Sequence, residues 1–346
     1  MSLTLPKTCK ISKGTTLKEL ANFFRLTEEQ LKRYHNTHCP LDDLIGYDIP
    51  EHVRMIYVPP DDIESREKIF NPKGGNSVNY KSKNTLYNKG SFNKRYGIIQ
   101  KTFINGEEKL KLHYEIEIKK NNNKVEIKRK SVYLNHQRPD LIVEQMADKI
   151  GNMMYPLELE LNDDGTIKET SNQQAILDRW LRLKLELEDY YRGKEAELIF
   201  QNVGKNIRSR SKFLHKIKDS LFYGMYFFPL YETFTEDKKY IFQMYLPLEE
   251  NSGKVPFEVT LSLNEEISKT NKFLIQAEGK SIAPRLYSIH IPKNENNNQP
   301  TTEGYFDFTY KFNSKDNSIF AIYGEMGLKS QKLDKKITFE CYEQLK

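Results

Sequence analysis

His35, His38 and Cys39 fall within five positions near the start of the chain, and Cys9 and His52 are further candidates for the same cluster. Imidazole and thiolate are the ordinary ligands of zinc. This spacing fits no recognised zinc pattern, and the segment has a complete structural use without a metal. No metal site is expected. Paired carboxylates occur in Asn162-Asp163-Asp164-Gly165, where they can bind calcium or act as acid and base. They sit in a hairpin turn that itself demands Asp and Gly, with no further acidic ligand at loop spacing, so a structural turn is expected.

Two basic runs raise the question of an anionic ligand. Lys128, Arg129 and Lys130 lie where the apolar parity of a strand shifts, and they read as a solvent face at a bulge. Arg208, Arg210, Lys212, Lys216 and Lys218 surround the apolar positions Ile207, Leu214, Ile217 and Leu221, which reads as the charged outer face of a core-packed helix. There is no phosphate-binding loop, no dinucleotide fingerprint, no Gly-x-Ser-x-Gly elbow and no His-Glu-x-x-His helix. No catalytic role or cofactor is therefore assigned.

Composition bears on the class of partner. The 54 basic and 48 acidic residues interleave to a net charge of +6. That is a mildly basic surface without the concentrated footprint of a nucleic-acid binder, so no nucleic-acid partner is expected. Three widely spaced cysteines argue against a disulfide framework. Cys341 alternates with Ile337 and Phe339, as a buried strand thiol does. The start, MSLTLPKTCK, lacks a basic region followed by an apolar one, and no segment is long enough to cross a membrane. Three expectations stay open: a leader has been removed, the protein leaves by a non-classical or contractile route, or it stays inside the cell.

The elements that position these residues are legible in outline. Residues 61–93 are polar, and 60–93 reads as a linker or long surface loop. From Lys94 the pattern is β. Asn105-Gly106 between apolar runs predicts a hairpin. Leu110, Leu112, Tyr114, Ile116 and Ile118 alternate with polar residues, and Asn121–Asn123 turn the chain into Val125 and Ile127. A short helix is predicted from about Pro139 to Gly151. Leu157, Leu159 and Leu161 make a strand. Ser171 and Gln174 form a capping box for a helix carrying Ile176, Trp180, Leu183, Leu187 and Tyr190, spaced 4, 3, 4, 3.

After Gly224 strands return. Phe257, Val259, Leu261 and Leu263 share one face. Phe306, Phe308, Tyr310 and Phe312 share another, and Ile319, Ala321 and Tyr323 pair with it across the Asn313–Asn317 turn. Asn294–Pro300 reads as a polar loop. The aromatic face around Phe308 prompts a minor reading in which a curled sheet encloses an apolar ligand. Residues 94–346 thus predict an α+β domain, with mostly antiparallel strands around central helices.

The opening segment, residues 1–60, is a separate small unit of order βααβ. Cys9 and Ile11 are extended, and Gly14 supplies a turn. Thr16 caps a helix with Glu19 reciprocating, and Leu17, Leu20, Ala21 and Phe24 share its face. Thr27 and Gln30 repeat the box, Leu31 and Tyr34 give the second helix its stripe, and Asn36 closes it. Met55, Tyr57 and Val58 form a strand stopped by Pro59 and Pro60.

These positions resemble a LysM domain across residues 8–59. Gly14, Thr16 and Leu17 match its Gly-Asp-Thr-Leu step, Leu31 and Asn36 its second helix, and Val58-Pro59 its closing strand. Thr15 stands where the family usually has an acid, and the segment from Thr37 to Arg54 is longer than usual. The resemblance implies a module that binds N-acetylglucosamine-containing glycans such as peptidoglycan or chitin-type oligosaccharides. Its glycan-binding positions map onto Gly14, Thr15, Thr16, Leu17, Asn36, Ile49 and Pro50. Such modules also occur in phage-tail-like contractile and secretion machines. The alternative expectation is therefore a structural or adaptor component that uses the module for protein contacts. Residues 94–346 resemble no family.

Overall fold

The structure is a computed structural model. It describes the chain apart from residues 1–5, 41–42, 47–48, 71–76, 83, 88–89, 136, 247, 249–254, 269, 283–302, 331–332 and 345–346. The predicted polar loop Asn294–Pro300 lies outside the described residues, as does the start of the chain through residue 5.

The first unit runs β1 (Lys7–Lys10), α1 (Leu17–Phe24), α2 (Glu28–His38) and β2 (Met55–Val58), with β1 and β2 antiparallel. Both capping boxes form. Thr16 accepts from Glu19 N while Glu19 accepts from Thr16 N, and Thr27 and Gln30 do the same. Each box satisfies two backbone donors that a helix start leaves open. Leu17, Leu20, Ala21, Phe24 and Leu31 bury their apolar face against Ile56 and Val58. Asn36 does not end α2, which continues to His38. Residues 61–93 are more structured than a linker. They hold α3 (Ile63–Phe70) and the hairpin β3 (Tyr80–Ser82) and β4 (Thr85–Leu86). Phe70, Val78 and Leu86 are buried.

The rest is built on one antiparallel sheet. Its strands are β5 (Phe92–Ile104), β6 (Glu107–Asn121), β7 (Lys124–Leu134), β8 (Leu157–Leu161), β9 (Ile167–Thr170), β10 (Lys239–Leu246), β11 (Val255–Asn264), β12 (Lys272–Ser281), β13 (Glu303–Asn313), β14 (Ile319–Lys329) and β15 (Asp334–Gln344). Among the described residues the sheet has 11 strands, in the order β10-β11-β12-β13-β14-β15-β5-β6-β7-β8-β9. The long-range step is the pairing of the last strand with the first long one, as in Phe339 opposite Gln100. Asn105 and Gly106 both take positive φ, at 51° and 83°, which the tight β5–β6 turn requires. The bulge expected near Val132 is present, where β7 slips against Tyr114 and Ile116.

The helices between β7 and β10 are α4 (Ile142–Asn152), α5 (Gln173–Tyr190), α6 (Lys194–Arg208), α7 (Arg210–Asp219) and α8 (Leu221–Tyr226). The predicted cap of α5 is corrected, because Asn172 and not Ser171 occupies that place. Its amide accepts from Glu158 N and donates to Pro156 O, tying the helix start to β8. The predicted second helical segment breaks at Ser209, which caps α7 through Lys212 N. Tyr190, expected on the apolar stripe, is exposed.

The segment from Phe222 to Tyr231 shows how far the sheet curls. Phe222 meets Tyr114, Tyr226 meets Tyr96, and Phe228 meets Phe242, Phe306 and Tyr310. Tyr231 N donates to Asp164 O in the β8–β9 turn. One short segment thus touches strands from one edge of the sheet to the turn at the other, so the sheet wraps around it. The interior is filled by its own side chains. The cavity beside Ile118, Tyr226 and Tyr231 holds about 20 Å³, room for about one water and far below the roughly 300 Å³ or more of a small-molecule pocket. The enclosed-ligand reading has no room here.

Candidate functional site

The first basic run and the paired carboxylates of the large domain are occupied, and Arg210 of the second run pairs with Glu169. Lys128 pairs with Glu126, Arg129 with Asp148, and Lys130 with Glu115 and Glu117. Asp164 accepts from Thr166 N and Oγ1 inside its own turn. His35 is committed to backbone. Its Nε2 donates to Asp43 O at 2.8 Å and its Nδ1 accepts from Tyr57 N at 3.1 Å. Burial pulls this imidazole down to about 4, so the neutral tautomer is the working form. His38 Nδ1 bonds Tyr34 O.

An open groove remains on the first unit. It runs between the Ser12–Leu17 turn and the Ile49–Arg54 loop and encloses about 220 Å³. Gly14, Thr15, Thr16, Leu17, Ile49 and Pro50 all line it. The first wall is a tight turn. Thr15 donates to Ser12 O through both its amide and its hydroxyl, and Gly14 takes φ +86°. An added Cβ at Gly14 would meet nothing within 4 Å, so its backbone conformation alone demands glycine there. The second wall closes with Val53 N donating to Pro50 O, and Ile11 N donates to Arg54 O to hold the walls together. Lys13 and Glu51 bridge the two loops at 3.0 Å. That ammonium holds the Glu51 carboxyl below the usual carboxylate range. Leu17, Ile49 and Val53 give the groove an apolar lining, with Ser12 and Thr15 adding hydroxyls.

Asn36 is the exception among the predicted site residues. It is buried, donates to Ile45 O and accepts from Ile45 N, both at 2.8 Å. It therefore lies outside the groove and positions the loop that leads to Ile49. His35 pins the same loop through Asp43, a role its sequence spacing did not signal. The unpredicted feature is the seam behind this loop. Cys39 and Leu44 pack with Ile99 of the sheet, flanked by Tyr57 and Tyr133. Glu29 pairs with Lys311, Lys32 with Glu340 at 3.4 Å, and Arg33 stacks over Phe320. The first unit is fixed on the outer face of the sheet.

Among the described residues no helix is long and apolar enough to cross a membrane. No protein-family model matches the chain, and no curated protein matches it.

Proposed function

We propose that the chain is a non-catalytic glycan-binding protein. Its LysM-like opening unit docks on peptidoglycan or a related N-acetylglucosamine glycan. The observation that carries this reading is the open groove between Gly14–Leu17 and Ile49–Pro50. These are the two loops from which the resemblance draws its glycan contacts. Apolar side chains can take a sugar's C–H face and acetyl methyl, while the turn's hydroxyls and backbone can serve its amide and hydroxyl groups. The Lys13–Glu51 pair balances its own charge, which suits a neutral ring.

Sedimentation of the full chain with purified peptidoglycan, alongside titration with chitin oligosaccharide, tests the reading. Binding lost in Gly14→Val supports it. No binding to either material sinks it.

A second reading takes the chain as an adaptor in a contractile or secretion machine, with the module making protein contacts. It is favoured by large apolar side chains left exposed, Phe23 on α1 of the module and Ile142, Leu185 and Leu198 on the helices of the large domain. Glycan binding with no stable protein partner would remove it.

A further inference from the structure

The large sheet ends differently on its two sides. The edge strand β9 has four residues, carries Lys168 and Glu169, and has Glu169 held by Arg210 of α7. Short, charged and covered edges are how sheets avoid pairing with other chains. The opposite edge strand, β10, has eight residues and no charged one from Tyr240 to Leu246. Ile241 and Tyr245 are 60% and 64% exposed, and Gln243 between them is exposed too.

The hydrogen-bond pattern identifies the backbone groups that β10 leaves open. Lys238 O accepts from Leu263 N, so Lys238 points at β11. Lys239 points the other way, with its N–H and its carbonyl both bonded to Thr235 in the preceding turn. Successive residues of an antiparallel strand alternate between its two sides. Tyr240, Phe242 and Met244 therefore pair with β11, while Ile241, Gln243 and Tyr245 aim both backbone groups away from it. The register agrees. Tyr245 stands opposite Pro256, whose carbonyl accepts from Ile282 N, just past β12 on the far side. Among the described residues nothing pairs with the outward groups of Ile241, Gln243 and Tyr245.

We propose that β10 is a dimerisation edge: a second copy of this chain adds its own β10 antiparallel, across a two-fold axis at Gln243. A row of open donors and acceptors fits another extended strand. The sequence of β10 selects its own copy. With Gln243 opposite Gln243, Ile241 of each copy lies opposite Tyr245 of the other. These are the residues whose backbone groups face outward, so each N–H and carbonyl among them gains a partner. The side chains match as well. On the outer face Ile241 meets Tyr245, a β-branched and aromatic pair, and the two Gln243 amides bond each other. On the other face Phe242 lies opposite Met244, a sulfur–aromatic contact. No like charges are opposed. A closed two-fold pairing of one patch with itself also leaves no open edge at the contact for further copies.

Sedimentation velocity of the full chain over about 1–100 µM tests this, since a contact of one strand pair is small and falls in the micromolar range. The monomer should shift to dimer with rising concentration. Gln243→Lys opposes like charges at the axis, and Gln243→Pro removes an outward N–H that an edge strand can spare. Each should weaken the dimer about tenfold or more, with circular dichroism unchanged. Leu185→Lys, on the exposed face of α5, should leave it intact. The register has its own readout. In Gln243→Cys the paired Cα atoms at the axis would lie about 5.5 Å apart, within disulfide reach. Mild oxidation should trap the dimer in Gln243→Cys and not in the natural chain. A monomer at every concentration overturns the inference. So does a dimer that survives both Gln243→Lys and Gln243→Pro, or one lost in Leu185→Lys, which would put the contact on the helices. A dimer that Gln243→Cys fails to trap overturns the axis at Gln243.

Discussion

On β5, β6 and β15 the residues facing inward include Tyr96, Ile98, Tyr114, Ile116 and Phe339, all buried. One position along, facing the first unit, stand Lys101, Lys111, Thr338 and Glu340. The inner face is packed by aromatic rings around Phe228, with no space for a ligand. The outer face leaves a charged cleft and, beyond Pro50, an open groove. A strand's period of two lets one sequence serve both purposes. The core supplies rigidity, and the proposed recognition chemistry belongs to the small unit on the outer face.

The comparison can be broken first at the core. Phe308 is fully buried against Phe306. Phe308→Ala should cost about 3–5 kcal/mol in urea unfolding, the range for large aromatic truncations. A cost below about 1 kcal/mol would show that the wrapped interior is not the stabilising element.

The next test addresses the small unit, which relies on polar pins. His35 titrates near 4 when folded because burial disfavours its charge, against about 6.5 when unfolded. Between these values the unfolded chain binds the extra proton. The stability His35 contributes is therefore full above about pH 6.5 and lost as pH falls toward 4, roughly 3 kcal/mol across the window. The stability difference between the natural chain and His35→Gln, followed by denaturant unfolding from pH 7 to 4.5, should shrink accordingly. A pH-independent difference would contradict the assignment.

How much of this was legible depends on range. The capping boxes at Thr16 and Thr27 and the turn at Asn105-Gly106 are local, so a few residues specify them. The alternation through Tyr114, Ile116 and Ile118 identified a buried face, and the Phe306–Phe312 face was equally plain. The groove residues were legible through resemblance, apart from Asn36, whose amide is used up by Ile45. The seam was not legible. The β15–β5 register, Leu44 over Gly97 and the opposed Lys101–Lys111 pair all depend on contacts between distant parts of the chain. Asn172 displaced Ser171 as a cap for the same reason, since its partners are on β8.

The seam itself is tested at Gly97, where a Cβ would approach Leu44 Cδ1 to 2.7 Å. Gly97→Ala should push the Leu44 loop outward at about 1–3 kcal/mol, the usual cost of overpacking. Faster hydrogen exchange across residues 39–46, with the inner face of the sheet unchanged, is the expected signature. Unchanged exchange there would show that the seam tolerates the methyl and does not hold the unit.

The smallest effect is expected at Thr16. Thr16→Ala removes the hydroxyl that accepts from Glu19 N. The loss should be about 1 kcal/mol, felt by α1 and read by thermal unfolding. A larger loss than at His35 would invert the ranking of pins within the unit.

The central claim is that ligand binds on the small unit, between its two loops. Hydrogen-exchange mass spectrometry of the full chain, with and without soluble peptidoglycan fragments, tests it most directly. The account predicts slowed exchange at residues 12–17 and 49–54, with the helices of the large domain unaffected. Fragment binding that leaves both loops unprotected, or that protects the exposed surface of α4–α6 instead, would contradict it.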